Sequence, residues 1–379
     1  MYQSWGDPHW CCNSFNISPL PDHLEPVYHF ASRLKREIKL DPFKKRTIGQ
    51  TGVSVTQLGY GSAGIGELAT HVSEEDAQAA MATAWDEGVR FYDTSPWYGR
   101  TLSEHRMGHA LRSKPREDYV LSTKVGRVFR PAVDLDRVNA DQWIGGLHFD
   151  HVFDYSYDAI MRSYEDSQQR LGLTKIDLLL IHDMDHYHFQ TDEKVQAHME
   201  VLFTSGMRAL EELKRAGLIG GIGAGINHPG TMNQYMDMVD LDFFLVASPY
   251  TLLDQFVYHD EMARASQLGM GFIIGAVLNS GILGTGAVQG AYYNYAPATE
   301  DALNRVRKIE AVCSRHDVPL VAAALQFPLG HPDVAAIIPG ALNMQQQAAN
   351  VAAMKLDIPS DFWAELKAEK ILAEDIPTP

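Results

Sequence analysis

Four polar side chains of types that can transfer a proton follow short apolar segments of the sequence. Asp93 and Tyr98 come after one such segment, while Lys124 and His182 end two later ones. Interconverting an alcohol and a carbonyl moves a hydride on carbon and a proton on oxygen. A free tyrosine has a pKa near ~10, too high for an efficient base at neutrality, but a nearby ammonium lowers it. The set therefore predicts acid–base chemistry on a carbinol or carbonyl without a metal.

Each member of this set has a distinct expected role. Tyr98 would handle the proton, Lys124 would lower the pKa of that phenol, and Asp93 would hold the lysine in place. His182 would orient the substrate oxygen or shuttle the proton. Taken singly, the four residues have plainer explanations, namely a helix cap, a solvated lysine, a core tyrosine and a structural histidine. Their joint arrival at the ends of apolar segments favours the catalytic interpretation.

The segments that position them predict an α/β fold. Eight short apolar segments, mostly separated by helical patterns, are typical of parallel strands that are covered on their outside. They favour a (β/α)8 TIM barrel over the alternative, an open doubly wound sheet, and the strand ends of a barrel converge on one place. The predicted strands are Gln57–Tyr60, Arg90–Tyr92, Tyr119–Thr123, Ile176–Ile181, Ile219–Ala224, Phe243–Ala247, Gly271–Ile274 and Val334–Ile338.

The segment before the first strand predicts a β-hairpin that closes the bottom of the barrel. Arg46–Ile48 and Val53–Gln57 flank a glycine-containing turn. We expect residues 45–379 to form the barrel domain. Residues 1–44 are mixed and irregular, which predicts an N-terminal extension outside the barrel, with poor order as one expectation.

One connection is unusually long and aromatic. More than thirty residues separate Lys124 from the helix that begins near Asp158, and they include Trp143 and Phe153. Long connections in compact domains are often functional, and this one leaves the active-site end of a strand. It therefore predicts a wall of the substrate pocket, with packing on a neighbouring subunit as the alternative.

Composition narrows the partners. The formal net charge is −16, which disfavours nucleic acid and anionic lipid, and no apolar run reaches the roughly 18 residues of a membrane span. Three cysteines without zinc-type spacing are typical of reduced thiols. We therefore expect a cytoplasmic protein that acts on a small molecule and has no membrane or nucleic-acid partner. The oligomeric state stays open.

Several motifs resemble the aldo-keto reductase family from about Lys45 to Ile371. The run Gly88–Gly99 resembles that family's GhxxhDTAxxYG segment, where h is apolar, and Ser95 stands where many members have Ala. Leu121–Lys124 and Asp177–His182 resemble its lysine and histidine segments. The family's catalytic Asp, Tyr, Lys and His then fall on Asp93, Tyr98, Lys124 and His182.

The resemblance also implies a nicotinamide cofactor. Gly225 and Ile226 replace the family's Ser and Asn in the segment that holds the carboxamide, and Ala247 replaces a Gln. Gly340 and Gln346 take the places of a Lys and an Arg that many NADP-using members carry. A 2′-phosphate needs such cations, so NAD is expected, with NADP as the alternative. The cofactor positions are Ser62, Asn227, Tyr250, Leu252, Asn279, Ser280, Gly281, Leu283, Gly340, Gln346 and Asn350.

The motif combination is most similar to the aldose 1-dehydrogenase branch, which includes L-fucose, D-threo-aldose and L-galactose dehydrogenases, with pyridoxal 4-dehydrogenase nearby. The resemblance implies oxidation of the C1 hemiacetal hydroxyl of a sugar to a lactone, with Tyr98 as general base. Trp97 would stack on the sugar. Oxidation of pyridoxal and reduction of another carbonyl are alternatives on the same fold. A non-catalytic, cofactor-binding regulatory subunit is the alternative from another class.

Overall fold

The computed structural model describes residues 41–139 and 141–379. Residues 1–40 of the predicted N-terminal extension, which covers residues 1–44, therefore lie outside the described residues. The strands are β1 (Lys45–Thr47), β2 (Ser54–Thr56), β3 (Tyr60–Gly61), β4 (Phe91–Asp93), β5 (Val120–Val125), β6 (Arg127–Pro131), β7 (Phe149–Phe153), β8 (Leu178–His182), β9 (Gly221–Ile226), β10 (Phe243–Ala247), β11 (Gly271–Gly275), β12 (Tyr292–Tyr293), β13 (Ala296–Pro297) and β14 (Val334–Ile337).

Eight of these strands form one parallel sheet in the order β14-β11-β10-β9-β8-β5-β4-β3. The sheet closes on itself where Leu58 pairs with Ile337 and Gly61 pairs with Gly340. A hydrogen bond of 2.8 Å from the Gly59 N–H to the Ile337 carbonyl joins the two edges. The predicted (β/α)8 barrel is therefore confirmed, and the open sheet is excluded.

The strands are apolar on both faces because each face meets a different layer. Leu178 and Leu180 point into the barrel and pack in an inner cluster with Phe91 and Ile273. Leu179 and its outward-facing neighbours instead pack against the surrounding helices. Burying both faces of a parallel strand explains why its sequence lacks polar alternation.

The N-terminal hairpin closes the bottom of the barrel, as predicted. β1 and β2 pair antiparallel, with Lys45 opposite Thr56. Ile48 and Val55 from this hairpin belong to the inner apolar cluster, and both are at most 1% exposed. Gly49, in the turn, approaches the start of β11 so closely that a Cβ would overlap the backbone of Gly271.

The helices cover the outside of the barrel, and several begin at the caps that the sequence predicts. The Ser73 hydroxyl accepts the Asp76 N–H at 3.0 Å, and Gly88 ends the same helix with φ of 111°. The helices are α1 (Glu74–Glu87), α2 (Leu102–Leu111), α3 (Leu135–Asn139), α4 (Tyr157–Leu171), α5 (His186–Phe189), α6 (Asp192–Val201), α7 (Met207–Arg215), α8 (Thr231–Met238), α9 (Ala263–Gln267), α10 (Ile282–Thr285), α11 (Glu300–Arg315), α12 (Leu320–Gln326), α13 (Met344–Met354) and α14 (Ser360–Ala368).

Two features were not foreseen from the sequence. The long connection after Lys124 is an antiparallel hairpin of β6 and β7, in which Arg127 lies opposite Phe153. A π-helical turn, Leu202–Gly206, joins α6 to α7 into one longer helix.

Across the part of the chain that the structure describes, no helix combines the length and apolar character needed to cross a membrane.

Close packing of α2 on α4 generates a stability prediction. A Cβ at Gly108 would overlap the Leu171 carbonyl, so Gly108→Ala should lower the free energy of unfolding by about 1–3 kcal/mol, as overpacked substitutions do. Gly284→Ala is the matched control, because this helical glycine has only a side-chain carbon, at 3.6 Å, near its absent Cβ. Denaturant unfolding of both variants measures the difference, and a stabilised Gly108→Ala would contradict the packing argument.

Candidate active site

The four predicted catalytic side chains meet at the carboxyl ends of the strands. Asp93 ends β4, Lys124 lies near the end of β5, and His182 ends β8. The Lys124 ammonium donates to Asp93 Oδ2 at 2.7 Å and lies 4.7 Å from the centre of the Tyr98 ring. The rings of Tyr98 and His182 meet edge to face, with centroids 5.9 Å apart. The structure therefore places a phenol, an ammonium, a carboxylate and an imidazole around one point.

The turn that carries Tyr98 is fixed from two sides. Gly99 has φ of 64° and approaches Gly66 so closely that a side chain on either glycine would overlap the other's backbone. The next residue, Arg100, is 2% exposed, and its guanidinium donates to four carbonyl oxygens of the long connection. These acceptors belong to Val138, Trp143, Gly146 and Leu147. Tyr98 is thus clamped between a close backbone contact and a buried cation.

The Lys124–Asp93 ion pair lies beside Tyr98 and bears on the pKa of its phenol. Lys124 and Asp93 are each 1% exposed, so the carboxylate balances the ammonium at close range. The pKa of Tyr98 lies well above its ordinary value, first because the phenol is buried and then because Asp93 and Asp183 disfavour a second negative charge. The net pKa of Tyr98 is therefore raised, and a lowering contribution from Lys124 stays a prediction. Tyr98 is a protonated phenol at neutral pH.

His182 is held as a neutral imidazole. Burial lowers its pKa well below the usual value, and the nearby cations Lys124 and Arg127 act in the same direction against Asp183. Its Nδ1 lies 3.1 Å from the Ser95 hydroxyl, and its Nε2 lies 3.4 Å from Asp183 Oδ2. A neutral ring has one N–H to donate, which suits orientation of a substrate oxygen better than bulk proton exchange.

Sequence reasoning missed a second buried ion pair beside His182. Arg127 donates to Asp183 Oδ2 at 2.6 Å, and Asn227 donates to the other oxygen at 3.2 Å. Burial raises the pKa of Asp183, but His182, His188 and Arg127 outweigh it and hold the pKa below its usual value. The His182-Asp183 dipeptide was visible in the sequence, whereas Arg127 reaches it only through the β6–β7 hairpin.

One group beside this pair has the composition of a cation site. Asp183, Asp185 and His188 bring ligand atoms within 4.8 Å of one another. However, His188 Nδ1 lies 2.8 Å from Asp185 Oδ1, and Arg127 already pairs with Asp183. Arg127 and His188 thus pair with these carboxylates, and we assign the carboxylates to an ion-pair network.

The long connection packs on the site side chains. Trp97, the predicted substrate residue, has the His151 ring at 4.7 Å, the Trp143 ring at 5.7 Å and the Arg127 guanidinium 4.3 Å above its face. The rings of Trp143 and Tyr98 also contact each other, with their centres 5.7 Å apart. Burial lowers the pKa of His151 to about 3. These contacts give the connection the position expected of a pocket wall.

The predicted cofactor positions 279–281 form a loop with an open, strained backbone. Asn279, Ser280 and Gly281 are consecutive left-handed residues with φ of 45°, 59° and 102°, and a Cβ at Gly281 would meet nothing within 4 Å. The Asn279 side chain donates to Asp254 at 3.2 Å, while its buried Oδ1 has no partner within the protein. Open space and an orphaned acceptor fit a loop that receives a polar ligand.

A second tyrosine reaches toward the site above this loop. The Tyr295 N–H donates to the Ser280 hydroxyl at 2.9 Å in the turn between β12 and β13. The pKa of the Tyr295 phenol is raised by burial of its hydroxyl end and then by nearby Tyr98 and Asp183, although half of the whole residue is exposed. No motif in the sequence marks Tyr295 as a site residue.

The predicted cofactor positions Gly340, Gln346 and Asn350 lie in the segment that follows the closing strand of the barrel. The Gln346 side chain accepts the Leu342 N–H at 2.9 Å, and Asn350 donates to the Gly340 carbonyl at 3.2 Å. Gln347, on the same helix, is 1% exposed, and neither polar atom of its side chain has a partner. Residues 340–350 contain no lysine or arginine. The segment therefore fits a polar, uncharged nucleoside better than an additional phosphate.

Four other predicted cofactor positions have side chains that point away from the open loop at residues 279–281. The Ser62 hydroxyl accepts from Ser103 at 2.7 Å in a buried hydroxyl cluster. Tyr250 packs against the rings of Tyr258 and Phe327 in the layer between barrel and helices. The side chains of Leu252 and Leu283 are buried in the same layer. Packing alone accounts for their burial.

Comparison with known proteins identifies the class. Residues 57–370 match the model of the aldo/keto reductase family, and the chain belongs to this family. An aldo-keto reductase from Bacillus halodurans, solved in its holo form, shares the fold, with a TM-score of 0.68 and 22% identity over 88% of this chain and 98% of that chain. The protein is thus an NAD(P)-dependent oxidoreductase, which excludes the non-catalytic regulatory alternative.

Curated relatives place it more narrowly. The chain is 39% identical to a pyridoxal 4-dehydrogenase of Microbacterium luteolum, over 87% of this chain and 98% of that protein. It is 34% identical to a D-threo-aldose 1-dehydrogenase of a Pseudomonas species, over 86% and 97%. It is 27% identical to the L-galactose dehydrogenase of Arabidopsis thaliana, over 82% and 87%. The predicted resemblance to the aldose dehydrogenase branch is confirmed.

Removing one oxygen tests the position of Tyr98. Tyr98→Phe should reduce kcat by at least about 100-fold, the usual contribution of a positioned proton donor or acceptor, because the Tyr98 ring lies beside both Lys124 and His182. Nicotinamide binding, measured by fluorescence titration, should change little. Near-normal turnover by the variant would remove Tyr98 from the chemistry.

Proposed function

We propose that this aldo-keto reductase oxidises the C1 hemiacetal hydroxyl of an aldose to a lactone, with NAD as the hydride acceptor. The observation that carries the proposal is the convergence of Tyr98, Lys124 and His182 beside an aromatic wall. Two relatives that are named as aldose and galactose dehydrogenases support the substrate class. The bound nicotinamide would supply the carbon that receives the hydride.

The chain's own residues provide for the proton and for the substrate oxygen. Tyr98, as its phenolate, would take the proton of the C1 hydroxyl, while the hydride leaves the same carbon. His182 would donate a hydrogen bond to that oxygen and hold it beside Tyr98. The Lys124–Asp93 pair would place an ammonium next to the phenolate as charge develops there. The face of Trp97 would pack against the apolar C–H face of the sugar.

A second candidate substrate is pyridoxal, favoured by the 39% identical relative and by the aromatic wall. Pyridoxal carries its aldehyde beside a hydroxymethyl group and so closes to a cyclic hemiacetal. Its oxidation to a lactone would use the same proton and hydride transfers. A planar pyridine ring would stack on Trp97 rather than present a C–H face to it.

A substrate panel tests the proposed function. L-Fucose, D-arabinose, L-galactose and pyridoxal are each incubated with NAD or NADP, and the absorbance of the reduced cofactor is followed. We expect turnover of at least one sugar and recovery of its lactone by mass spectrometry. Turnover of pyridoxal alone would select the second candidate. Activity confined to reducing open-chain carbonyls would contradict both.

Cofactor choice is testable by adding charge at the closing segment. NAD should exceed NADP in kcat/KM by at least about tenfold, because the 2′-phosphate finds no cation there. Gly340→Lys with Gln346→Arg should shift the ratio toward NADP, and the Cβ at residue 340 would meet only an ordinary contact of 3.5 Å. Gln345→Arg is the matched control for the single change Gln346→Arg, because it adds the same one charge at an exposed neighbouring position. A native preference for NADP would contradict the assignment.

The raised pKa of Tyr98 generates a pH prediction. Only the phenolate accepts a proton, and the phenolate fraction grows as pH rises toward a pKa above the ordinary value. The kcat/KM for oxidation should therefore climb about tenfold per pH unit through neutrality, without a plateau below pH ~9. The kcat/KM for reduction of a carbonyl substrate, which uses the protonated phenol, should not change over that pH range. A plateau of oxidation near neutrality would show that the phenol ionises much more easily.

A further inference from the structure

Ser95 contacts the candidate catalytic histidine on its Nδ1 side. It is fully buried, with no exposed surface. Its hydroxyl oxygen lies 3.1 Å from the Trp97 backbone nitrogen and 3.1 Å from His182 Nδ1. The serine therefore bridges the turn that carries Tyr98 to the ring that faces Tyr98.

The direction of these hydrogen bonds follows from the chemistry of the partners. A backbone N–H only donates, so the Ser95 oxygen accepts from Trp97, and its single proton is free to point at His182 Nδ1. A neutral imidazole has one nitrogen that accepts and one that donates. Donation from Ser95 to Nδ1 therefore leaves the ring proton on Nε2.

The other side of the ring selects the same tautomer. His182 Nε2 lies 3.4 Å from Asp183 Oδ2, and Arg127 and Asn227 hold that carboxylate in place. A carboxylate accepts hydrogen bonds, so it favours an N–H on Nε2 and opposes a lone pair there. If Ser95 accepted from Nδ1 instead, the Nε2 lone pair would face the Asp183 charge.

We infer that Ser95 is a positioning residue that holds His182 in the Nε2–H tautomer, so that the ring offers an N–H on Nε2 that a substrate oxygen could accept. The inference rests on the proposed function for its catalytic consequence, but not for the tautomer itself. Ala at this position, as in many members of the family, would leave Nδ1 without the hydroxyl. This chain therefore adds a local constraint to a ring that is otherwise oriented by packing and by Asp183.

Removal of the hydroxyl should have two linked effects. In Ser95→Ala, the neutral ring loses a donor to Nδ1, so both the Nδ1–H tautomer and the imidazolium become relatively more stable. The charged groups that face the ring stay in place; they are Asp183, Lys124, Arg127 and His188. In the reduction direction, whose profile is flat through neutrality, the acid limb that reflects protonation of His182 should therefore move to higher pH. The kcat should fall about fivefold, the cost of one hydrogen bond.

The experiment combines nitrogen NMR with kinetics on the full-length protein. With ¹⁵N-labelled histidine, the His182 ring nitrogens should show Nδ1 as the unprotonated nitrogen in the native protein and a mixed state in Ser95→Ala. Ser95→Thr keeps the hydroxyl and should restore the native pattern. Ser163→Ala is the matched control, since it removes a buried hydroxyl on α4 that has no partner in the protein.

The outcomes separate this inference from the proposed function. Unchanged His182 nitrogen shifts and an unchanged acid limb in folded Ser95→Ala would overturn the positioning role. A native ring protonated on Nδ1 would overturn the tautomer. Because the nitrogen shifts are read without substrate, failure of the enzyme to oxidise any aldose would count against the proposed function alone.

Discussion

The site is organised around the buried ion pair between Lys124 and Asp93. Both side chains are 1% exposed, so neither charge is solvated by bulk water. The lysine also donates to the Thr94 carbonyl at 2.8 Å, and the second Asp93 oxygen accepts from Ser122 at 2.7 Å. Removing either charge would strand the other, at a typical cost of about 3–5 kcal/mol. Neighbouring strands β4 and β5 are therefore tied together by the same contact that equips the site.

The ion pair also decides which groups stay neutral. Burial of Tyr98 and the nearby carboxylates of Asp93 and Asp183 keep the phenol protonated at rest, although the Lys124 ammonium lies beside its ring. The Arg127–Asp183 pair repeats this arrangement beside His182, whose imidazole is likewise neutral. Two internally balanced pairs thus surround two neutral hydrogen-bonding groups. Such a site carries no net charge at rest, so a proton gained or lost by Tyr98 changes the charge of the site by one unit.

The parts of this arrangement that follow from strand topology could be predicted from the sequence. Each barrel strand ends in the same layer, so a polar residue directly after an apolar segment has a known destination, as for Asp93, Lys124 and His182. Arg100 and Arg127 could not be placed in this way. Arg100 bonds to carbonyls up to 47 residues away, and Arg127 depends on a hairpin inside an apparently irregular connection. Their partners are set by loop packing, which leaves no periodic pattern in the sequence.

Side-chain direction limited the prediction of the cofactor positions. A motif places a residue at a strand end but does not fix which layer its side chain enters. Tyr250 enters the outer layer with Phe327, and Ser62 turns to Ser103, whereas the backbone of residues 279–281 stays open. The neutral loop at Gly340 and Gln346 is the exception, because the absence of lysine and arginine is a property of sequence alone.

The geometry of the site suits oxidation and reduction equally, whereas the protonation state of Tyr98 distinguishes the two. The same atoms serve oxidation and reduction, since both directions pass through one transition state with the hydride on its path and the proton near Tyr98. A protonated phenol is ready to donate, whereas oxidation first requires the phenolate. The resting site of the chain's own residues therefore holds the form of Tyr98 that reduction uses. The net direction is set by the concentrations of substrate, product and both cofactor forms and by pH, because oxidation releases a proton; hydrolysis of a lactone would draw the reaction toward oxidation.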